Sequence, residues 1–368
     1  MVSNRDSESR VDFRVKKAAL TEHGLVKSPA PTGSLGPGQV VLEVDRFAFT
    51  ANNISYAVAG DMLDYWGFFP AEDGWGRIPA MAYADVIAST CDAVALGERF
   101  FGFFPMATHH VVEARATGEG FIDASDHRES HAVVYRQFSR TTTDPLYDEE
   151  FEDETLLLRG LFMTSFLVDD FLADNEHYGA ETLLISSASS KTSIALAACA
   201  AERGHDRVVG LTSPGNAAFV ASLGFYDEVL LYSDLTSLPV DEPAVFVDMA
   251  GNAEVRNTLH RHLRDSLKYD CSVGLTHWDK GGPNADLPGP APEFFFAPAQ
   301  IAKRSKEWGP AKLRKDLGAS WQRFRDGSSK WLEVERGCGE DAVVRVYEAT
   351  LSGSASPGVG NVLSLWDR

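Results

Sequence analysis

From Thr155 onward the sequence alternates between short apolar strands and helix-spaced segments, a rhythm that few folds accommodate. ETLLISS (181–187) reads as a buried strand, and KTSIALAACAAERG (191–204) as a helix stopped by Gly204. RVVGLTS, GNAAFVASLG, DEVLLYS, PAVFVDMAG, AEVRNTLHRHLRDSL and YDCSVGLTH then follow as strand, helix, strand, strand, helix and strand. Units of this length predict a parallel sheet covered by helices on both faces.

The preceding region has a different character. From Phe13 to about Val112 the pattern is mostly strand, with QVVLEVDRFAFT following the turn-forming run GSLGPG, and MAYADVIAST and ERFFGFFP continuing it. Ala114 to Glu154 turns polar and acidic, ending in TTTDPLYDEEFEDE, and is expected to be a solvated connection. Beyond the Gly- and Pro-rich stretch Asp279–Pro292, the pattern predicts a strand and basic helices, then a helix, a turn and a final strand. A compact β domain and a strand–helix domain are therefore expected, joined through the acidic stretch.

Composition narrows the function. Lys plus Arg number 34 against 53 Asp plus Glu, a formal charge of −19, so the surface repels nucleic acid and anionic lipid. Cys91, Cys199, Cys271 and Cys338 lie far apart without a CxxC pair, which argues against a structural zinc or a secreted disulfide scaffold. The start MVSNRDSESR lacks a signal-peptide pattern, and runs such as RFFGFFPMA are shorter than the roughly 20 residues of a membrane span. The expectation is a soluble, cytoplasmic protein acting on a small molecule.

The turn Ser187-Ala188-Ser189-Ser190-Lys191-Thr192-Ser193 sits where strand–turn–helix units grip a dinucleotide, yet it holds no glycine. The first N–H groups of the following helix form an anion site whatever the side chains are, and serine keeps the spacing at 187, 190 and 193. Lys191 opposes the helix dipole, so either it points into water on an ordinary capped helix or a bound anion offsets it. Ser190-Lys191-Thr192 also mimics the end of a nucleoside-triphosphate loop, but that motif's first glycine would fall at Ile185, inside the strand. The end of the second strand, GLTSPGN, carries no acid for a ribose hydroxyl. Thr212, Ser213 and Asn216 could instead hold a 2′-phosphate, favouring NADP over NAD; a plain turn capped by Ser213 fits as well.

In motif order the chain resembles the medium-chain dehydrogenase/reductase superfamily, in its zinc-independent quinone oxidoreductase and enoyl reductase branch, and most of all the uncharacterised DUF2855 group. The stretches that carry the likeness are GPGQVVLEVDRFAFTANNISYAVAGD, RIPAMAYADVIAST, RGLFMTSFLVDD, the core from ETLLISS to YSDL, VFVDMAGNAEV, YDCSVGLTHWD and YEATLSGSASPGVGNVLSL. The resemblance implies a Rossmann-type doubly wound parallel sheet (151–309) plus a mainly β GroES-like catalytic domain formed by both chain ends (1–150 and 310–368). It departs in three places: serines and Lys191 replace the glycine loop, Asn216 stands where a basic residue often meets the 2′-phosphate, and Met81-Ala82-Tyr83-Ala84-Asp85 replaces the zinc-binding Gly-His-Glu.

The implied activity is a zinc-independent, NADPH-dependent reduction of an activated C=C or C=O, with no metal ligand. Tyr56 in NNISYAVAG matches a tyrosine placed to assist at oxygen or carbon, and His277 follows the loop expected near the nicotinamide. NADPH would be held by Thr164, Ser187, Ser189, Ser190, Lys191, Thr192, Thr212, Ser213, Asn216, Tyr232, Ala250, Gly251, Gly274, Leu275 and Thr276. Asn53, Tyr65, Trp66 and Phe295 would line an apolar substrate pocket. Their aromatic rings also fit a core or a dimer contact, and Asn52 and Asn53 fit a helix cap. His109 and His110 are further candidate proton donors. Relatives of this branch are often homodimers. The competing reading is a non-catalytic NADP-sensing or partner-binding protein on the same scaffold.

Overall fold

The structure, a computed structural model, describes residues 9–273 and 287–367. The chain divides into two compact units, one made of the chain up to Leu157 together with everything from Leu332, the other of Leu158–Trp331.

The first unit opens with the strands β1 (Ser9–Lys16), β2 (Ala19–Pro29) and β3 (Gln39–Phe49), followed by the short helix α1 (Ala51–Val58). Then come β4 (Trp75–Gly76), β5 (Pro79–Ser89), β6 (Arg99–Pro105), β7 (His109–Thr117), β8 (Gly120–Asp123) and β9 (Gln137–Arg140). Strands β3, β5, β6, β9, β8 and β7 pair in that order and β7 returns to β3, closing a barrel. Closure leaves these strands few free edges and turns their alternate apolar residues inward. Val40, Leu42, Phe47, Ala82, Phe100, Phe104, Phe121 and Phe138 fill the interior.

The acidic stretch is not a solvated connection. Phe121 and Phe138 within it are core residues, and Arg128, 1 % exposed, donates to the carbonyls of Phe68 and Tyr135 at 2.9 and 2.5 Å. Its last acids open the long helix α2 (Glu152–Asp174), where a helix N-terminus favours negative charge. Glu152 receives Arg46 at 2.5 Å, Arg99 twice at 2.8 Å and the Tyr147 hydroxyl at 3.0 Å. A run of like charge reads the same in sequence whether water or arginine neutralises it.

The second unit takes the rest of α2 and then builds the predicted alternation. Its elements are β10 (Thr182–Ile185), α3 (Lys191–Arg203), β11 (Arg207–Thr212), α4 (Ala217–Ser222), β12 (Glu228–Leu231), β13 (Ala244–Asp248), α5 (Ala253–Leu263), β14 (Leu267–Ser272), β15 (Pro292–Phe294), α6 (Ala297–Trp308) and α7 (Pro310–Ser328). The six strands are all parallel, in the order β12-β11-β10-β13-β14-β15. Counted from β10 this is 3-2-1-4-5-6, the order of a doubly wound dinucleotide-binding sheet. Helix α7, expected with the chain ends, falls in this unit instead. Its stripe Leu313, Leu317, Trp321 and Phe324 is buried, with Trp321 and Phe324 5.6 and 5.1 Å from Phe162 of α2.

The chain then returns to the first unit with β16 (Glu333–Cys338), α8 (Glu340–Leu351) and β17 (Val359–Ser364). Strand β17 pairs antiparallel with the last residues of β3, and Tyr347 of α8 is fully buried against Phe13 and Phe49. The architecture is thus a mixed α/β fold, with a β-rich unit made from both chain ends and a parallel-sheet unit between them.

Candidate functional site

In a sheet of this order the strands reverse direction of winding between β10 and β13, and ligands bind outside the carboxyl ends at that point. Two loops meet there. Ser186 Oγ, just past β10, donates to Asp248 Oδ1 at 2.8 Å and accepts the N–H groups of Met249 at 2.8 Å and Ala250 at 3.2 Å. Asp248 Oδ1 also accepts from Ala250 and Gly251, at 3.0 and 2.8 Å, which folds the loop after β13 around it. Gly251 takes a left-handed φ of +66°, open to glycine at little cost.

Behind these loops lies a buried charge network. Arg256 of α5 donates to Asp248 Oδ2 at 2.8 Å and Ser272 Oγ at 2.5 Å, and its Nε lies 3.0 Å from Asp270. His260 Nε2 is 2.8 Å from the same Asp270 oxygen. Burial raises the Asp248 carboxyl above its ordinary range, against the pull of Arg256.

The serine turn makes one left-handed corner and is tied together by its own side chains. Ser187 sits at φ +50°, a left-handed corner that normally calls for glycine, and its N–H donates to the Tyr232 hydroxyl at 2.9 Å. Tyr226 donates to the Ala188 carbonyl at 2.9 Å, and Asn216 Nδ2 to Ser189 Oγ at 3.0 Å. A Cβ at Gly210 would meet the Tyr226 ring at 2.8 Å, so β11 presents glycine where the turn crosses it. Ser190 caps α3, its Oγ accepting the Ser193 N–H at 3.1 Å, and Ser193 Oγ donates back to the Ser186 carbonyl at 2.9 Å. Lys191 and Thr192 open the helix, and Ser165 of α2 donates to the Thr192 carbonyl at 2.7 Å. Burial pulls the Lys191 ammonium down to about 8.

The other predicted cofactor residues are placed as follows. Thr164 turns back onto its own helix, donating to Gly160 at 3.3 Å. Thr212 is buried at the end of β11, and Ser213 precedes a short turn without capping it through its side chain. Asn216 and Tyr232 spend their observed bonds on the serine turn. Gly274, Leu275, Thr276 and His277 lie outside the described residues.

In the first unit α1 carries Tyr56. Thr50 closes a capping box with Asn53, whose Oδ1 accepts the Thr50 N–H at 2.8 Å while its Nδ2 donates to the Pro79 carbonyl at 2.8 Å. Asn53 is thereby a structural cap rather than a pocket wall. Asn52 Nδ2 donates to the Tyr56 hydroxyl at 2.9 Å, and the Tyr56 ring lies 4.7 Å from Tyr65. Burial, with Tyr135 nearby, pushes the Tyr56 phenol well above its ordinary value.

Trp66 is core, since a Cβ at Gly60 or Gly76 would strike its ring. Phe295 packs on Phe171 at 5.6 Å inside the second unit. Spacing identifies such rings as apolar but not which way they point. His109 is fully buried and held near 4 by that burial, and His110 well below the usual value for the same reason, so both imidazoles are neutral at neutral pH and neither is an imidazolium acid. Ser186, Asp248, Arg256, Asp270 and His260 were not anticipated. The one signal was the aspartate closing VFVDMAG three residues before a glycine.

The sequence matches the family described as protein of unknown function (DUF2855) over residues 47–356. Comparison with curated proteins gives no match. Among solved structures, CurA from Vibrio vulnificus is 12 % identical with a TM-score of 0.58, covering 98 % of this chain and 100 % of its own. The structure of CurA with NADPH gives 12 % and 0.56 over 96 % and 98 % of the two chains. A putative NADPH:quinone reductase from Mesorhizobium loti gives 14 % and 0.58 over 97 % and 98 %. At such identities the likeness shows a shared fold.

Proposed function

The chain belongs to the DUF2855 family, and on that premise we propose that it is an NADPH-dependent oxidoreductase of the medium-chain dehydrogenase/reductase type. It reduces an activated C=C or C=O of an apolar substrate without zinc, and works as a cytoplasmic homodimer. One observation carries the reading: at the switch point of a 3-2-1-4-5-6 parallel sheet, β10 runs through a tight turn with a left-handed corner at Ser187 into α3, while β11 ends at Thr212, followed by Ser213 rather than an acid. CurA, with the same fold, has been solved with NADPH. The β-rich unit is read as GroES-like, and its β5 carries Met81, Ala82, Tyr83, Ala84 and Asp85, of which only Asp85 has a zinc-ligating group, and both its carboxylate oxygens receive Arg99 at 3.1 Å.

The residues at the turn fit such a cofactor: α3 opens toward it with helix N–H groups, and Lys191 at the first helical position supplies positive charge. Bound there, NADPH supplies the hydride. Lys191, with Ser213 and Tyr232, would hold its 2′-phosphate, and the Ser186–Asp248 bond ties the loop after β10 to the loop after β13. Tyr56 keeps its proton at every physiological pH because burial disfavours the phenolate. Asn52 occupies an acceptor site on its oxygen, so the O–H remains available to the developing negative oxygen of the substrate or as a proton source.

The test is titration of the purified protein with NADPH by fluorescence, followed by NADPH oxidation with a panel of enones and quinones. Binding with turnover is expected, and Tyr56→Phe should lower kcat by about 10²-fold or more with the NADPH Kd unchanged. Absence of both binding and turnover removes the proposal. The competing reading is a non-catalytic NADP-sensing or partner-binding protein on the same scaffold. Tight binding with no turnover and a silent Tyr56→Phe would select it.

A further inference from the structure

A cavity of about 590 Å³ opens in the second unit among α2, α3, α6 and α7. It lies at the C-terminal end of α3, the opposite end from the serine turn, and its volume falls in the range of small-molecule sites. Its lining has an apolar part, with Phe166 and Trp308, and a charged part with five carboxylates against three guanidinium groups. The deepest acids are Asp169 and Asp170, each about 4 % exposed.

Their existing partners leave room for another cation. Arg203 places Nε and Nη2 on Asp169 Oδ2 at 2.8 and 2.6 Å; Arg304 Nε and Gln300 Nε2 both reach Asp170 Oδ2, at 2.7 and 2.6 Å. Among the described residues the Oδ1 atom of neither acid receives a hydrogen bond. Burial holds the Asp169 carboxyl above its ordinary range in spite of Arg203. The Trp308 ring already faces cations, with Arg304 4.3 Å and Lys312 4.7 Å from its centre. At the rim Lys303 pairs with Asp174, Lys312 with Asp316 and Arg323 with Glu202, so an anion would meet only lysines and arginines that already hold a carboxylate.

We propose that this cavity is a second small-molecule site, separate from the serine turn, that takes an organic cation with an apolar body, such as an aryl amidine, guanidine or amine. Its charge meets the Asp169–Asp170 pair and its apolar part lies along Phe166 and Trp308. The assignment is independent of the reductase reading.

Calorimetric titration of the full chain with benzamidine tests it, with benzamide as the uncharged and benzoate as the anionic counterpart. Saturable one-to-one binding of benzamidine alone is expected. Ala319→Phe, which fills the cavity and leaves every ion pair in place, should weaken it at least tenfold with an unchanged melting temperature, as should Asp170→Asn if that variant folds. No saturable binding of benzamidine, equal binding of benzamide or benzoate, or wild-type affinity in Ala319→Phe overturns the site. The last outcome would mean that the acidic surface attracts the cation nonspecifically.

Discussion

Ser187 turns a left-handed corner at the start of the serine turn without being glycine. A non-glycine residue at φ +50° costs about 1–2 kcal/mol, partly offset because glycine gives up more chain entropy. Ser187→Gly should therefore raise stability in urea by up to about 1 kcal/mol, and Ser187→Val should lower it. A loss of stability in the glycine variant would refute the strain. Lys191 makes the second prediction at this scale. Its ammonium loses its proton near pH 8 in the free protein, whereas a bound phosphate would hold that proton on. Binding above that pH must take up a proton, so NADPH affinity should fall as pH rises past about 8, and Lys191→Gln should flatten the profile. Fluorescence titrations across that range check it. The serine spacing was legible in the sequence, and Asn53 fitted a cap as well as a pocket wall; the left-handed corner and the choice between those two roles were not, because a dihedral angle and a side-chain direction leave no periodic trace.

At the scale of elements, the loops at the switch point are held from behind by α5. Removing the Arg256 guanidinium would leave Asp248 and Asp270 buried without their shared cation, which costs about 3–5 kcal/mol. Arg256→Met should show that loss in urea unfolding, and adding Asp248→Asn should recover part of it; a single substitution costing less than about 1 kcal/mol would mean that the network does not hold the loops. The strand and helix periods between Thr182 and Ser272 were readable because each element buries one face or stripe. The acidic N-terminus of α2 and the allegiance of α7 were not. An amphipathic stripe announces that it will be buried, but not against which neighbour.

For the whole molecule, a charge of −19 means self-repulsion that mobile ions relieve. The melting temperature should rise as sodium chloride is taken from about 10 mM to about 500 mM at neutral pH; a flat or falling curve would show that local pairs such as Arg99–Glu152 already neutralise the field. No helix among the described residues is long and apolar enough to cross a membrane. By itself the sequence determined the parallel-sheet unit, its strand–helix order and the position of the serine turn, since these follow from local periodicity and from chain connectivity. Only the tertiary structure decided that six strands close into a barrel, that β17 returns to pair with β3, that Trp66 and Phe295 serve the core, and that Asp248, Arg256 and Asp270 meet. Each of those depends on residues far apart in the chain competing for the same buried volume or the same charge, and no local pattern encodes the outcome of that competition.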